Sequence, residues 1–315
     1  MKKLISYVIP IFNESGNIDA LYKTLSELTR QHKDYDYEFI FVNDGSQDNS
    51  YGKLEAIQTN DPKVIVINLS RNFGHQLAVT AGLDNAAGDA VIIMDGDLQD
   101  PPEVSFELIQ KWAAGYDVVY AQRKTRQDSF LKKLSANLFY VVLEKLADIK
   151  IPRNTGDFRL LDRKVVDSLN LFHEHNRFLR GLISYVGFKQ TGVLFDRAAR
   201  YSGQTNYPLR KMINLAGNGI LGFSTFPLKI ISRLGYLVSG ISFLGILYAL
   251  LVKIFDSQAA VPGWAFIVIA ILFVGGVQLI ILGVLGSYIG RIYAETQARP
   301  LYLIDSILRN NNKSG

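Results

Sequence analysis

Short apolar runs alternate with amphipathic stretches along the first 125 residues. The runs are short enough for buried strands, and the stretches between them carry the apolar spacing of helices. We expect strands at 4–10, 38–42, 63–68, 90–94 and 117–121 and helices at 18–29, 51–58 and 74–85. Strands that alternate with helices predict an α/β fold with a mostly parallel, Rossmann-like sheet covered on both faces.

Polar side chains follow the predicted strands at their carboxyl ends. They are Asn13 and Glu14, the run 43–46, the run 70–72, the run 95–97 and the run 123–126. Parallel α/β sheets bind ligands outside the carboxyl ends of their strands, so these groups should share one rim. A single acid after a strand is more often a turn or a helix cap. The prediction of a composite site therefore depends on their joint placement.

Asp95 and Asp97 directly follow the fourth predicted strand and are separated by Gly96. Side chains two residues apart in an extended chain point to the same side, and we expect Gly96 to let the backbone bend and to leave room for a ligand. Two carboxylates suit a hard cation, Mg²⁺ or Mn²⁺, which completes its shell with water and substrate phosphates. The pair predicts a metal that holds a diphosphate. We expect Arg123, Arg126 and Arg200 to neutralise further charge on such a leaving group.

Two long uncharged runs in the last third of the chain change the expected class of protein. Residues 234–252 and 261–290 contain no charged side chain, and about 20 apolar residues span a membrane. Lys229 and Arg233 precede the first run, whereas only Lys253 lies between the runs, beside Asp256. This distribution predicts cytoplasmic termini and a short external loop. The short, broken apolar stretch at the N-terminus is not typical of a signal peptide.

Charge and composition fit the same picture. The net charge of +5 suits an anionic membrane surface and does not require a nucleic acid, so we expect membrane lipid and no nucleic acid as a partner. The chain has no cysteine, which excludes disulfides and thiol catalysis. Basic residues alternate with apolar stretches between 206 and 232, a pattern typical of interfacial amphipathic helices. A soluble linker is the alternative for this segment.

Four motifs carry a resemblance to a known family: VIPIFNES, VNDGSQDNS, SRNFGHQLAVTAGLDNAAGD and MDGDLQDPPE. They resemble the family 2 glycosyltransferases with the GT-A fold, and more narrowly the polyprenyl-phosphate glycosyltransferases of the dolichyl-phosphate mannose synthase and GtrB-type group. The resemblance implies a GT-A domain at 1–205, a juxtamembrane segment at 206–232, two transmembrane helices at 233–292 and a cytoplasmic tail at 293–315. It places the protein in the inner (plasma) membrane and implies glucose transfer from UDP-glucose to undecaprenyl phosphate.

The resemblance also implies roles for individual residues. It implies that Pro10, Phe12 and Glu14 form a loop that cradles the nucleotide, that Asp44 contacts the uridine and that Ser70 makes a second nucleotide contact. Gln99 matches a residue that assists at the metal and phosphates, and Asp157 matches the proposed base. Arg200, Gly203 and Thr205 match a segment that closes over the diphosphate. Thr205 stands where the family has Ser and keeps the hydroxyl.

The expected reaction is a single displacement with inversion, because no covalent nucleophile is apparent. A lipid phosphate is already ionised near neutral pH, so Asp157 could align the acceptor or contact the sugar instead of acting as a base. The donor sugar stays open between glucose, galactose, N-acetylglucosamine, mannose and an aminoarabinose derivative. A processive polysaccharide synthase and a non-catalytic sugar-nucleotide sensor are the rival functions. We also expect a homo-oligomer of unspecified size.

Overall fold

A computed structural model describes residues 2–124, 152, 155–175, 177–196, 226–255 and 264–310. These residues fall into two compact units. One contains the described residues up to 196 together with 300–310, and the other contains those from 226 to 299.

The first unit is a sheet of eight strands with helices packed against it. In chain order its elements are β1 Leu4–Ile11, α1 Ile18–Gln31, β2 Asp36–Asn43, α2 Ser50–Asn60, β3 Val64–Leu69, α3 His75–Asn85, β4 Ala90–Ile93, α4 Val104–Ala113, β5 Val118–Arg123, β6 Thr155–Asp162, α5 Arg163–Leu169, α6 Leu179–Tyr185, β7 Gln190–Phe195 and β8 Ile304–Leu308. The strand order is β7-β5-β6-β4-β1-β2-β3-β8.

Most neighbouring strands run parallel, as the alternation of strands and helices predicts. β1 pairs in parallel with β2 and β4, β2 with β3, and β5 with β7. β6 is antiparallel to β4 and β5, and β8 is antiparallel to β3. The predicted α/β class with a mostly parallel sheet is confirmed, and the two antiparallel strands are additions that the alternation does not predict.

Helices cover both faces of the sheet because side chains alternate along each buried strand. Tyr7 and Ile9 of β1 belong to a core that includes Leu21 of α1 and Leu108 of α4. Val8, between them, faces α3, which contacts β1 and β2. The nearly continuous apolar strand LISYVIPI thus fills two layers, as expected of a strand buried on both sides.

The second unit consists of two long helices, α7 Phe226–Phe255 and α8 Trp264–Thr296, which contact each other. Both are long and apolar enough to cross a membrane, over windows Phe226–Gly245 and Phe273–Thr296. Pro227 occupies the first turn of α7, where its missing N–H costs no hydrogen bond. The end of the predicted juxtamembrane segment is therefore part of α7, while its residues up to 225 lie outside the described part.

The chain returns to the first unit after α8. β8 pairs with the β3 edge, and Tyr302 donates a hydrogen bond to Asp84 of α3, although the sequence predicts only a tail over 293–315.

Candidate active site

Strand register brings Asp95 and Asp157 to the same point of the rim. β6 runs antiparallel to β4, with Ile93 opposite Arg159. Continuing this register by two residues sets Asp95, just past the end of β4, opposite Asp157 near the start of β6. The inserted antiparallel strand thus carries Asp157 to the carboxyl ends of the parallel strands, where ligands bind.

Three side chains hold the carboxylate of Asp157, whose side chain is only 13% exposed. Arg180 Nε donates to Oδ1 over 2.7 Å. His75 Nε2 lies 3.1 Å from Oδ2, and Gln76 Nε2 donates to the same oxygen over 3.3 Å. Burial alone would raise the pKa of Asp157, but Arg180 and His75 outweigh it and hold the pKa well below its ordinary value. The lowered pKa makes Asp157 a weak base.

His75 lies between the two acids of the rim. Its Nε2 is 3.1 Å from Asp157 Oδ2 and 3.7 Å from Asp95 Oδ1. Burial lowers the pKa of His75, yet the hydrogen bond to Asp157 and the charge of Asp95 together raise it. His75 begins α3, and the rigid first turn of that helix also carries Gln76, whose Oε1 accepts from Leu179 N at the start of α6.

The D-x-D segment forms a tight turn after β4. Asp97 Oδ1 accepts from Gln99 N over 3.1 Å, and Leu98 between them has a left-handed backbone with φ of 57°. A left-handed conformation is unfavourable for a bulky residue and such strain is concentrated at functional sites. Contrary to the prediction, the space beside Gly96 is not open for a ligand, because a Cβ there would lie 2.6 Å from Ile11 Cδ1. Gly96 instead lets the turn pack on the end of β1.

Asp95 and Asp97 fit the predicted divalent cation. Burial raises the pKa of Asp95, His75 opposes this effect, and the nearby charges of Asp157 and Asp97 raise it further. Among the described residues, Asp95 Oδ1 is buried and accepts no hydrogen bond. Within the same part of the chain, no three His, Cys, Asp or Glu side chains form a complete metal cage. Two carboxylates are the ligands with which Mg²⁺ or Mn²⁺ is usually held when substrate phosphates and water complete its shell.

Asp44 organises the loop between β3 and α3. Its buried carboxylate accepts from Phe73 N over 2.7 Å and from Gly74 N over 3.0 Å. Burial raises the pKa of Asp44, and these two bonds counteract part of the shift. Next to it, Gly45 has φ of 65°, and a Cβ there would lie 2.5 Å from the backbone of Arg71 and Asn72. The β2–α2 and β3–α3 loops are therefore packed directly on each other.

The predicted nucleotide cradle after β1 is joined to the β2–α2 loop. Asn13 has φ of 55°; its backbone N donates to Ser46 Oγ over 3.0 Å, and its Oδ1 accepts from Gln47 N over 2.7 Å. Glu14 N donates to Ser50 Oγ over 3.0 Å. Phe12, directly before these anchored residues, is 44% exposed, so its ring is available for stacking on a base.

Of the remaining predicted residues, some lie in the described part of the chain and the others lie outside it. Pro10 is buried within β1, Ser70 is exposed at the start of the β3–α3 loop, and Gln99 is partly buried in the D-x-D turn. Arg123 lies beside Gly156, where an added Cβ would be 3.3 Å from Arg123 Nη2. Arg126, Arg200, Gly203 and Thr205 lie outside the described residues.

Sequence reasoning missed His75, Gln76 and Arg180. The first two belong to the motif SRNFGHQLAV, so their position at a helix start after β3 was a usable signal. Arg180 lies in a segment without a distinctive pattern, and only the fold brings α6 beside β6.

Comparisons with known proteins identify the family. The profile named Glycosyl transferase family 2 matches residues 6–169, just over half of the chain. The chain belongs to the family 2 glycosyltransferases. With this membership and the observed sheet, the predicted GT-A fold and glycosyltransferase class are confirmed.

Full-length relatives and solved structures resemble this glycosyltransferase. The uncharacterized glycosyltransferase YkcC of Bacillus subtilis (strain 168) is 48% identical over 98% of this chain and 95% of its own length. The bactoprenol glucosyl transferase of Shigella phage SfII is 45% identical over 98% of this chain and 99% of its own. Glucosyl-3-phosphoglycerate synthase of Mycobacterium tuberculosis, solved with Mn²⁺, UDP-glucose and phosphoglyceric acid, aligns with a TM-score of 0.44 at 18% identity, covering 70% of this chain and 78% of that one.

Proposed function

We propose that this glycosyltransferase moves glucose from UDP-glucose to a polyprenyl phosphate at a membrane surface, with inversion at the anomeric carbon. The observation that carries the proposal is the 45% identity to a bactoprenol glucosyl transferase over 98% of the chain. That similarity extends beyond the catalytic unit into both apolar helices. A lipid acceptor gives those helices a purpose that a soluble acceptor would not.

The donor would bind along the rim from β2 to β4. Phe12 would stack on uracil, and Asp44 would contact the uridine while it fixes the β3–α3 loop. Asp95 and Asp97 would hold the divalent cation, which supplies charge neutralisation for the diphosphate. Gln99 would assist at the phosphates, and Arg123, which lies beside Gly156, would contribute a further positive charge.

The acceptor phosphate would attack directly. A phosphate oxygen forms the new bond to the anomeric carbon as the bond between that carbon and the UDP oxygen breaks, so UDP leaves with the electron pair. A phosphate monoester has a second pKa of about 6 and needs little deprotonation at neutral pH. Asp157, fixed by Arg180 and His75, would therefore align the reacting groups instead of accepting a proton.

The sheet supports an even number of membrane crossings. β8 and β3 belong to one sheet, although α7 and α8 lie between them in sequence. This pairing supports an arrangement in which the parts before and after the helices lie on the same side of the membrane. Two crossings satisfy this condition, and the basic residues Lys229, Arg233, Arg291 and Arg299 favour the cytoplasmic side for both ends.

A donor panel tests the proposal. The purified protein is incubated with undecaprenyl phosphate, Mg²⁺ or Mn²⁺, and UDP-glucose, UDP-galactose, UDP-N-acetylglucosamine, UDP-aminoarabinose or GDP-mannose in turn. Mass spectrometry of the lipid fraction should show a hexosyl phospholipid from UDP-glucose in clear preference to the other donors. Preference for another donor would refute glucose but keep the reaction class. Binding of donor without any lipid product would favour the sensor.

A further inference from the structure

The residues that return to the sheet after α8 are joined to the rim that would bind the donor. We call residues 301–308 the C-terminal strap. Its strand, β8, pairs with β3, with Ile307 opposite Ile67 and Ile304 opposite Leu69. The short stretch 297–300 connects this strap to the end of α8.

The first tether lies where β3 passes into the β3–α3 loop. Ser70 N donates to Leu303 O over 3.0 Å. The far end of the same loop is fixed by Asp44, which accepts from Phe73 N and Gly74 N. The loop is thus held at one end by the strap and at the other by a predicted donor-site residue.

The second tether is a series of side-chain hydrogen bonds that leads to the β2–α2 loop. Asp305 Oδ2 accepts from Asn68 Nδ2 over 3.1 Å, and Asn68 Oδ1 accepts from Asn43 Nδ2 over 2.7 Å. Asn43 Oδ1 in turn accepts from Ser46 N over 3.3 Å. This series orients the amides at the ends of β3 and β2, directly before the predicted uridine contact.

The third tether joins the strap to α3. Tyr302 Oη donates to Asp84 Oδ2 over 2.6 Å in the last turn of that helix. Burial and the bond to Asp84 both raise the pKa of Tyr302, so the hydroxyl keeps its proton. The N-cap of α3 is Gly74, the last residue of the β3–α3 loop, so a contact that fixes the helix also limits the position of that end of the loop.

Covering a sheet edge requires only backbone pairing, which β8 provides along its length. The tethers from Leu303 and Asp305 do more than cover the edge, because they fix the loops that carry donor-site residues. The tether from Tyr302 fixes α3, which directly follows the second of these loops. Ile307, farther along the strap, is 44% exposed and pairs with the middle of β3.

We propose that the C-terminal strap is a positioning element of the donor site, in which Tyr302, Leu303 and Asp305 hold the β2–α2 and β3–α3 loops in the form that binds UDP. The inference rests on the proposed function and names a further determinant of it. It makes donor affinity depend on residues that follow the second apolar helix, far from the rim in sequence.

The test uses the full-length protein in detergent and compares four variants. Asp305→Ala removes the acceptor for Asn68, whereas Asp305→Asn keeps one carbonyl oxygen. Tyr302→Phe removes only the hydroxyl, and Ile307→Thr is a matched control on the same strand. The dissociation constant of UDP with Mn²⁺ is measured by calorimetry, and kcat and both KM values by lipid transfer.

Asp305→Ala and Tyr302→Phe should each weaken UDP binding and raise the donor KM about 3- to 10-fold, the range that one hydrogen bond is worth. The kcat and the acceptor KM should stay within about twofold, because the lost contact weakens donor binding equally in the ground state and in the transition state. Asp305→Asn and Ile307→Thr should bind UDP like the wild type. The thermal midpoint without ligand shows whether a variant is merely less stable.

Unchanged UDP affinity in Asp305→Ala and Tyr302→Phe would overturn the inference, whether or not the midpoint falls. Equal weakening by Ile307→Thr would also overturn it, since the effect would then belong to the edge strand in general. A wild type that binds no UDP would overturn the proposed function together with the inference, and that result is seen before any variant is compared.

Discussion

Arg180 Nε donates to Asp157 Oδ1 over 2.7 Å and leaves the other carboxylate oxygen, Oδ2, to His75 and Gln76. Arg180 carries a positive charge and His75 can carry one, and both favour the ionised form of the Asp157 carboxylate. The carboxylate best suited to general-base catalysis has a pKa near the working pH, and the pKa of Asp157 is far lower. This geometry favours alignment over proton transfer.

The lowered pKa of Asp157 predicts a pH-dependent stability difference. A lowered folded pKa means that the ionised group stabilises the fold above its unfolded pKa of about 3.9, and that this contribution is lost as the pH falls through the folded value. Asp157→Asn should cost about 1.5–3 kcal/mol, the worth of hydrogen bonds to charged groups. The thermal midpoints of the two proteins should differ throughout the range from pH 8 to 5, and the gap should widen as the pH falls and His75, whose pKa Asp157 raises, becomes protonated. A gap that closes already between pH 7 and 6 would contradict the lowered pKa.

The same variant separates acceptor alignment from donor binding. Asp157→Asn keeps the shape of the side chain and removes its charge, so transfer to lipid should fall at least 100-fold while UDP-glucose still binds. Turnover and calorimetric binding are measured on one preparation. Asp167→Asn, an exposed acid on α5 outside the rim, serves as the control. An equal collapse of donor affinity in Asp157→Asn would place the residue in the donor site.

The metal prediction concerns Asp95 and Asp97. Asp95→Ala or Asp97→Ala removes one of two charged ligands, so turnover should fall at least 100-fold, comparable to the loss of one strong electrostatic stabiliser. Asp34→Ala, at an exposed position before β2, should leave turnover unchanged. EDTA should abolish transfer by the wild type, and added Mg²⁺ or Mn²⁺ should restore it. Near-normal turnover in EDTA would show that the reaction does not require a divalent metal.

The contact between the β2–α2 and β3–α3 loops predicts that alanine will destabilise the protein more at one glycine than at another. Gly45 and Gly115 both have positive φ, but only at Gly45 would an added Cβ meet neighbours within 4 Å, the backbone of Arg71 and Asn72. Gly115→Ala should cost about 1–2 kcal/mol from the left-handed backbone alone. Gly45→Ala should destabilise the protein further and weaken UDP binding. Equal midpoints and normal UDP affinity in both variants would show that the loops do not depend on this approach.

Local patterns were sufficient for the central strands and their helices. The predicted strand 4–10 is β1 Leu4–Ile11, and the predicted helix 74–85 is α3 His75–Asn85. Each depends on a hydrophobic period that is contained within its own segment. The D-x-D position followed from the same logic, because an apolar run ends where the acids begin.

The parts that the sequence did not predict depend on contacts between distant segments. The antiparallel β6 carries Asp157 beside Asp95, and β8 pairs with β3 from more than 230 residues away. Arg180 reaches Asp157 only because α6 packs near β6. Strand order and side-chain partners of this kind are tertiary properties, so no local period contains them.

Because β3 and β8 belong to one sheet, we predict that the segments before and after the two helices lie on the same side of the membrane. The chain has no cysteine, so single cysteines can be introduced and labelled without background. Single variants Lys33→Cys and Asn310→Cys lie in the catalytic unit on either side of the helices in sequence, and Ser257→Cys lies between the helices. An impermeant maleimide on intact cells should label Ser257→Cys and neither of the others until the membrane is permeabilised. Opposite accessibility of Lys33→Cys and Asn310→Cys would be incompatible with β8 in the sheet.

The most direct test of the central claim is transfer of radiolabelled glucose from UDP-glucose to undecaprenyl phosphate in detergent. Wild-type protein with Mg²⁺ or Mn²⁺ should move the label into a lipid product that carries one sugar, and Asp97→Ala should not. Label that stays in the aqueous phase while UDP-glucose binds would contradict the enzyme and favour a sensor. Label in a long polysaccharide would contradict single transfer to the lipid phosphate.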